Sequence, residues 1–114
     1  LGATCNEEYG TVEKPEEFGW LIRYSPYHNV TPGTRYPATL FTIFDSDTRV
    51  DPLHARKLAA QLQHAVRDVE GAPPILLRRE KDVGHGARAL SRTITLSAQT
   101  LAFAGHWTGL RWSR

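Results

Sequence analysis

No methionine occurs in this sequence, and cysteine occurs once, at Cys5. A single cysteine excludes an internal disulfide and any Cys-x-x-Cys metal or redox motif, so nothing points to an oxidising compartment and a cytoplasmic location is expected. Long apolar runs are absent too: no window approaches the roughly 18 residues that a membrane helix needs. The first residues lack the basic and apolar blocks of a secretory signal, so no membrane partner is expected. Strong charge of either sign is missing, since 14 basic and 12 acidic side chains leave a formal +2. The basic residues mix with acids except around Arg78, Arg79 and Lys81, a run that reads as a solvated face, and no nucleic-acid partner is expected. His28, His54, His64 and His106 show no His-Glu-x-x-His or comparable ligand spacing, so neither metal nor cofactor is expected. With no initiator residue in view, a piece of a longer chain is the expectation.

What remains is an ordinary globular composition: 114 residues, 40% hydrophobic and 23% charged, enough for one small folded unit. Neither repeats nor low-complexity tracts interrupt it. Pro15–Tyr24 opens with proline at a first-helical-turn position and acids where the helix dipole favours them, which predicts a short helix. A turn is expected at Thr31-Pro32-Gly33. Tyr36–Phe44 is rich in β-branched and aromatic residues and nearly apolar on both faces, which predicts a strand buried in a parallel sheet. Asp51 with Pro52 then opens a helix to about Val69. Its apolar stripe is Ala55, Leu58, Ala59, Leu62, Val66 and Val69, and Gly71 follows as a terminator. Pro74–Leu77 reads as a second buried strand, followed by a glycine-flanked loop at 81–86. A last helix is expected from Ala89 to about Gly105, although Arg92–Leu96 alternates as a strand would. Trp20, Trp107 and Trp112 are expected to be packing residues.

Two polar loops follow the two strands, and in open α/β sheets the carboxyl ends of strands gather the chemistry. One loop holds Asp45-Ser46-Asp47-Thr48-Arg49-Val50 and the other Gly84-His85-Gly86. An acid after one strand and a histidine after the next is the order of the last two members of a Ser…Asp…His triad. Such a histidine must be held in one tautomer to take a proton from a serine. A carboxylate at its other ring nitrogen does this and stabilises the imidazolium that forms. Pattern alone leaves the plainer reading open, in which Asp47 caps its loop and His85 is a surface histidine. A Cys5–His85 thiol dyad has less behind it, because a lone cysteine commonly serves as a small buried hydrophobe.

Five motifs narrow the choice: Glu8-Tyr9-Gly10, Tyr24-Ser25-Pro26-Tyr27-His28-Asn29-Val30, Tyr36-Pro37-Ala38, Asp47-Thr48-Arg49-Val50-Asp51-Pro52-Leu53-His54 and Gly84-His85-Gly86. In this order and near these spacings the chain resembles the C-terminal region of prolyl oligopeptidases, from about Gly2 to Leu101-Ala102-Phe103. The resemblance implies the C-terminal portion of an α/β-hydrolase fold over residues 1–114, a mostly parallel sheet flanked by helices, within a serine-type peptidase acting on short proline-containing peptides. It implies that Asp47 is the triad acid and His85 the base. Arg49 falls on the arginine that binds the substrate backbone, and Val50 and Tyr9 on positions lining the proline pocket. Cys5 takes the place where the family has a tryptophan that stacks on proline, so a relative with acylaminoacyl or dibasic specificity stays open. None of Ser25, Ser46, Ser91, Ser97 and Ser113 lies in a Gly-x-Ser-x-Gly setting. The nucleophile, the oxyanion hole and the family's propeller are therefore expected upstream in the same polypeptide, and the isolated chain is expected to be inactive. A noncatalytic protein, either a degraded gene piece or a small interaction module, is the rival from another class. Two strands are also fewer than a stable sheet normally needs, so the isolated chain is expected to fold poorly or to associate.

Overall fold

The computed structural model describes residues 2–81 and 89–111. Its element order is a 3₁₀ turn Gly2–Cys5, α1 Asn6–Tyr9, α2 Pro15–Tyr24, a 3₁₀ turn Tyr27–Asn29, β1 Thr39–Phe44, α3 Leu53–Val66, β2 Ile75–Glu80 and α4 Leu90–Thr108. The order of α2, β1, α3, β2 and α4 matches the sequence expectation, whereas α1 and the two 3₁₀ turns were not anticipated; the places where boundaries moved have physical causes.

Helix α2 begins at Pro15 as predicted, and both its ends are tied down by side chains. Glu17 accepts from the Thr11 amide at 2.7 Å and from Lys14 Nζ at 2.8 Å. At the far end the Asn29 amide donates to the carbonyls of Ile22, Arg23 and Ser25 at 2.9, 3.2 and 2.8 Å. These are the carbonyls that a helix end leaves without intrahelical partners. Gly19, a residue that disfavours helix interiors, does not interrupt it.

Strand β1 starts at Thr39 rather than Tyr36. Pro37 has no N–H to give a ladder, and pairing begins where Thr39 donates to the Pro74 carbonyl at 3.0 Å. The Tyr36 hydroxyl instead accepts from the Thr31 amide at 2.7 Å, which holds the turn containing Gly33. That glycine adopts φ +78, a left-handed conformation that side chains disfavour. β1 and β2 pair in parallel, from Thr39 opposite Ile75 to Phe44 opposite Glu80. Parallel neighbours need a crossover, and α3 supplies it.

The α3 stripe packs onto one sheet face. Ala59, Leu62 and Ala65 are buried there with Ile43 and Ile75, and Gln63 Nε2 donates to the Ile75 carbonyl at 2.9 Å. Ala65 was not in the predicted stripe, which extended instead to Val69. The helix closes at Val66, and the i→i+3 bonds of Arg67 to His64 and Val69 to Val66 turn the chain early. At its start, Asp51 Oδ1 accepts from the Leu53 amide at 2.8 Å, so Asp51 does the capping one residue before Pro52.

Strand β2 runs three residues past its predicted end at Leu77. A run of Arg78-Arg79-Glu80 does not look like a strand until its partners are known. Alternation sends Arg79 towards α3, where it meets Asp45. It sends Arg78 and Glu80 towards α4, where they pair with each other and Arg78 donates to Gln99. Thus what the sequence suggests is a solvated charge run is a neutralised strand end, with Glu80 only 6% exposed.

Helix α4 lies beside the opposite face, tied to β2 by the Arg78–Gln99 hydrogen bond, and settles the helix-or-strand ambiguity at Arg92–Leu96. The Thr93, Thr95 and Thr108 hydroxyls bond the carbonyls four residues back, an arrangement that lets β-branched polar residues sit in a helix. It ends at Gly109, not near Gly105. Gly109 is left-handed at φ +74, and the Leu110 amide reaches back to the Gly105 carbonyl at 2.9 Å. No residue of α4 is buried. Trp20 and Trp107, expected to pack, are half exposed, and Trp112 lies outside the described residues. Among the described residues no helix is long and apolar enough to cross a membrane.

Candidate functional site

Both strand carboxyl ends lie on one side of the sheet because the strands are parallel. The loop after β1 is held in part by backbone amides. The Asp45 amide donates to the Glu80 carbonyl at 3.0 Å, prolonging the ladder, and the Asp47 amide donates to Phe44 at 3.1 Å. Asp47 Oδ1 then accepts from the Arg49 and Val50 amides, each at 2.9 Å. The Asp47 carboxylate therefore sits at the centre of its own turn, a geometry that Asp adopts readily.

Asp45, two residues earlier, is engaged differently. Oδ1 accepts from Arg56 Nη2 at 2.8 Å and from Arg79 Nε at 3.3 Å, and Oδ2 accepts from Arg79 Nη2 at 2.7 Å. The Arg79 hydrogen bonds, joined by those of Arg56 and opposed by partial burial, hold the Asp45 carboxyl below its usual range. Arg79 is raised in turn, chiefly by its hydrogen bond to Asp45. A carboxylate with both oxygens committed to guanidinium groups is poorly placed to orient a histidine as well, which separates the two acids of this loop by their partners. Arg56 was not singled out in the sequence, and Arg79 was read there only as part of a solvated basic run. Alternation carried past Leu77 is the signal that would have found Arg79.

Asp47 and Val50 line one surface cleft of about 280 Å³, with Thr42, Phe44, Pro52 and His54. Ser25, Pro26, Tyr27 and Phe41 line a neighbouring cleft that shares His54 and Ala55. The Tyr-Ser-Pro-Tyr segment thus docks against the start of α3, where Lys57 Nζ lies 4.6 Å from the centre of the Tyr27 ring. Ser25 Oγ and His28 Nδ1 are 2.8 Å apart. Arg49 is exposed beside the first cleft.

Tyr9 and Cys5, on α1 and the turn before it, are not among the residues that line this cleft. Both are exposed, so Cys5 is not the buried hydrophobe that a lone cysteine suggests. The Tyr9 phenol is raised, first by its hydrogen bond with Glu8, then by desolvation and by Cys5 and Tyr24 nearby. His85, with Gly84 and Gly86, lies outside the described residues. Among the described residues no three His, Cys, Asp or Glu side chains are placed to hold a metal ion.

Comparison with known proteins gives a consistent result. The model of the prolyl oligopeptidase family matches residues 3–111. A prolyl oligopeptidase of Dendrothele bispora is 41% identical over 112 residues, 96% of this chain and 15% of its own length. The prolyl endopeptidase of Elizabethkingia meningoseptica is 40% identical, again over 96% of this chain and 16% of its own. Among solved structures, prolyl oligopeptidase B of Galerina marginata, as a serine-to-alanine variant bound to a 35-residue hydrolysis and macrocyclization substrate, superposes with a TM-score of 0.90. It is 34% identical and the match covers 98% of this chain and 16% of that one. The chain spans about 15% of the length of the relatives it matches, and its two-stranded sheet with a helix on each face is part of their α/β-hydrolase catalytic fold.

Proposed function

We propose, from the premise that this chain belongs to the prolyl oligopeptidase family, that it is the C-terminal part of the catalytic domain of a serine-type peptidase acting on short proline-containing peptides. Asp47 orients His85 in this reading. His85 takes the proton from a serine supplied by the upstream part of the same polypeptide, then returns it to the leaving amine. Arg49 holds the substrate backbone, and Val50 and Tyr9 line the pocket for proline. The location we propose is cytoplasmic.

The observation that carries this reading is the parallel pairing of β1 and β2. It makes the Asp47 loop and the stretch that continues towards His85 leave the sheet from the same end, where α/β enzymes assemble their sites. Further support comes from the Galerina marginata enzyme, whose structures with long peptide substrates carry, in turn, alanine in place of a histidine, a serine and an aspartate. The replaced aspartate and histidine are separated there by nearly the same stretch of chain as Asp47 and His85 here. A second reading, a peptidase of different specificity, is favoured by one feature: the exposed Cys5 stands where an aromatic ring would stack on proline.

The test begins with the reading frame upstream of Leu1. We expect it to encode a serine in a Gly-x-Ser-x-Gly setting, and its full product to be labelled by a serine-directed phosphonate and to hydrolyse a Gly-Pro amide. The 114-residue chain assayed alone should do neither. A frame without that serine would sink the peptidase reading, and equal turnover of Gly-Pro and Gly-Ala amides would favour the second reading.

A further inference from the structure

Asp45 does more than fill the loop before Asp47. It is tied to two elements: its amide extends the ladder to Glu80 of β2, Arg79 of β2 grips both of its oxygens, and Arg56 of α3 binds Oδ1. Its side chain is 20% exposed, whereas those of Arg56 and Arg79 are 43% and 51% exposed. Ion pairs with such open partners are screened by water and contribute little to global stability. Their geometric effect is another matter. The two guanidiniums fix the first residue after β1 against both neighbouring elements, two residues before Asp47. Arg79 also belongs to the strand whose continuation carries His85.

We propose that Asp45 is a positioning residue, a clamp that sets the Asp47 turn relative to α3 and to the end of β2. The proposal rests on the reading of Asp47 and His85 given above. Asp45 neither touches substrate nor replaces Asp47. It keeps the acid where a small displacement would misdirect the imidazole, and a misplacement on the order of 1 Å costs up to about 100-fold in rate.

The experiment is steady-state kinetics on the full reading-frame product, with active sites counted by a serine-directed covalent reagent so that unfolded enzyme is not mistaken for slow enzyme. Asp45→Asn and Asp45→Ala should lower kcat per titrated site by roughly 10- to 100-fold, with KM changed less than about twofold. Asp45→Glu, which can still reach both arginines, should recover most of the loss. Arg79→Gln should fall in the same direction, and the Asp45→Asn/Arg79→Gln double variant should be no slower than Asp45→Asn alone, because the two act through one contact. Asp68→Asn, which breaks the exposed pair with Arg67, should leave kcat unchanged. An unchanged kcat per site in Asp45→Ala and Arg79→Gln, or a loss seen only as fewer titratable sites, overturns the positioning role while turnover abolished by His85→Ala still upholds the triad. Turnover that survives His85→Ala overturns the triad reading and the clamp with it.

Discussion

The two faces of the small sheet are flanked by helices of similar prominence in the sequence and of opposite character in the structure. On the α3 face, Ala59, Leu62 and Ala65 close over Ile43 and Ile75, and all five are buried. On the α4 face, a longer helix of 19 residues buries none of its own, and Leu90 and Leu101 remain 75% and 70% exposed. α3 is joined at both ends to the strands it covers, so its apolar stripe and the sheet are brought together by short connections. α4 forms through local means instead: hydroxyls returned to the backbone, and a left-handed glycine that ends it. Helical periodicity tells that a helix exists, and only the packing tells whether its apolar side is used. The polar chemistry follows the same division, because the Asp47 turn stands on the side that packs well.

That division can be broken most severely at the acid. In the full reading-frame product, Asp47→Asn should keep the turn but support the wrong histidine tautomer, lowering kcat by a factor on the order of 10⁴, the loss known for the equivalent change in a chymotrypsin-type triad. Near-wild-type turnover would show the acid to be another residue.

Next in size is the packing contrast itself. Leu62→Ala on α3 should destabilise by about 2–5 kcal/mol, the range for a buried leucine that leaves a cavity. The matching Leu101→Ala on α4 should stay within about 0.5 kcal/mol in the 114-residue chain. Urea unfolding of the two variants side by side, under conditions where the 114-residue chain is a monomer with a cooperative transition, decides it, and equal losses would mean that α4 packs in solution as tightly as α3.

A smaller effect tests how α4 ends. Gly109→Ala forces a side chain into φ +74, where the left-handed conformation costs about 1–2 kcal/mol. Because α4 is lightly anchored, the cost should appear as faster amide exchange in its last turns, with α3 protection unchanged. Loss of protection in both helices would make them one cooperative unit.

The smallest expected effect is a pH dependence confined to the α3 side. Asp45, held below its ordinary value of 3.8 chiefly by Arg79, binds fewer protons folded than unfolded. Its contribution is fully present above the unfolded value and is lost as pH falls through the lowered folded one. The Tm of Asp45→Asn should therefore sit slightly below that of the wild type near neutral pH and converge with it as pH falls through the lowered value of the folded carboxyl. A gap that widened on acidification would contradict the sign of the shift.

Much of this molecule was legible without coordinates. Proline and paired acids marked the start of α2 at Pro15. The Leu58-Ala59-Leu62 spacing marked α3, and the apolar Tyr36–Phe44 run marked β1 apart from its start, because each signal is local to its element. The five motifs carried the family, and the order of Asp47 and His85 carried the candidate chemistry. Tertiary structure alone decided the rest. The charged end of β2 is accommodated in three ways: Asp45, from the loop after β1, pairs with Arg79, Glu80 pairs with Arg78 along the same strand, and Gln99 of α4 accepts a hydrogen bond from Arg78. Asp45 was readable only as the acid that was not Asp47, since the two arginines that engage it are 11 and 34 residues away. Sequence records which side chains are available within a turn or two of each other. Which distant charges meet depends on the register of β1 against β2 and the seat of α3 on them, and those are fixed by burial of Ile43, Ile75 and Leu62 rather than by the charges.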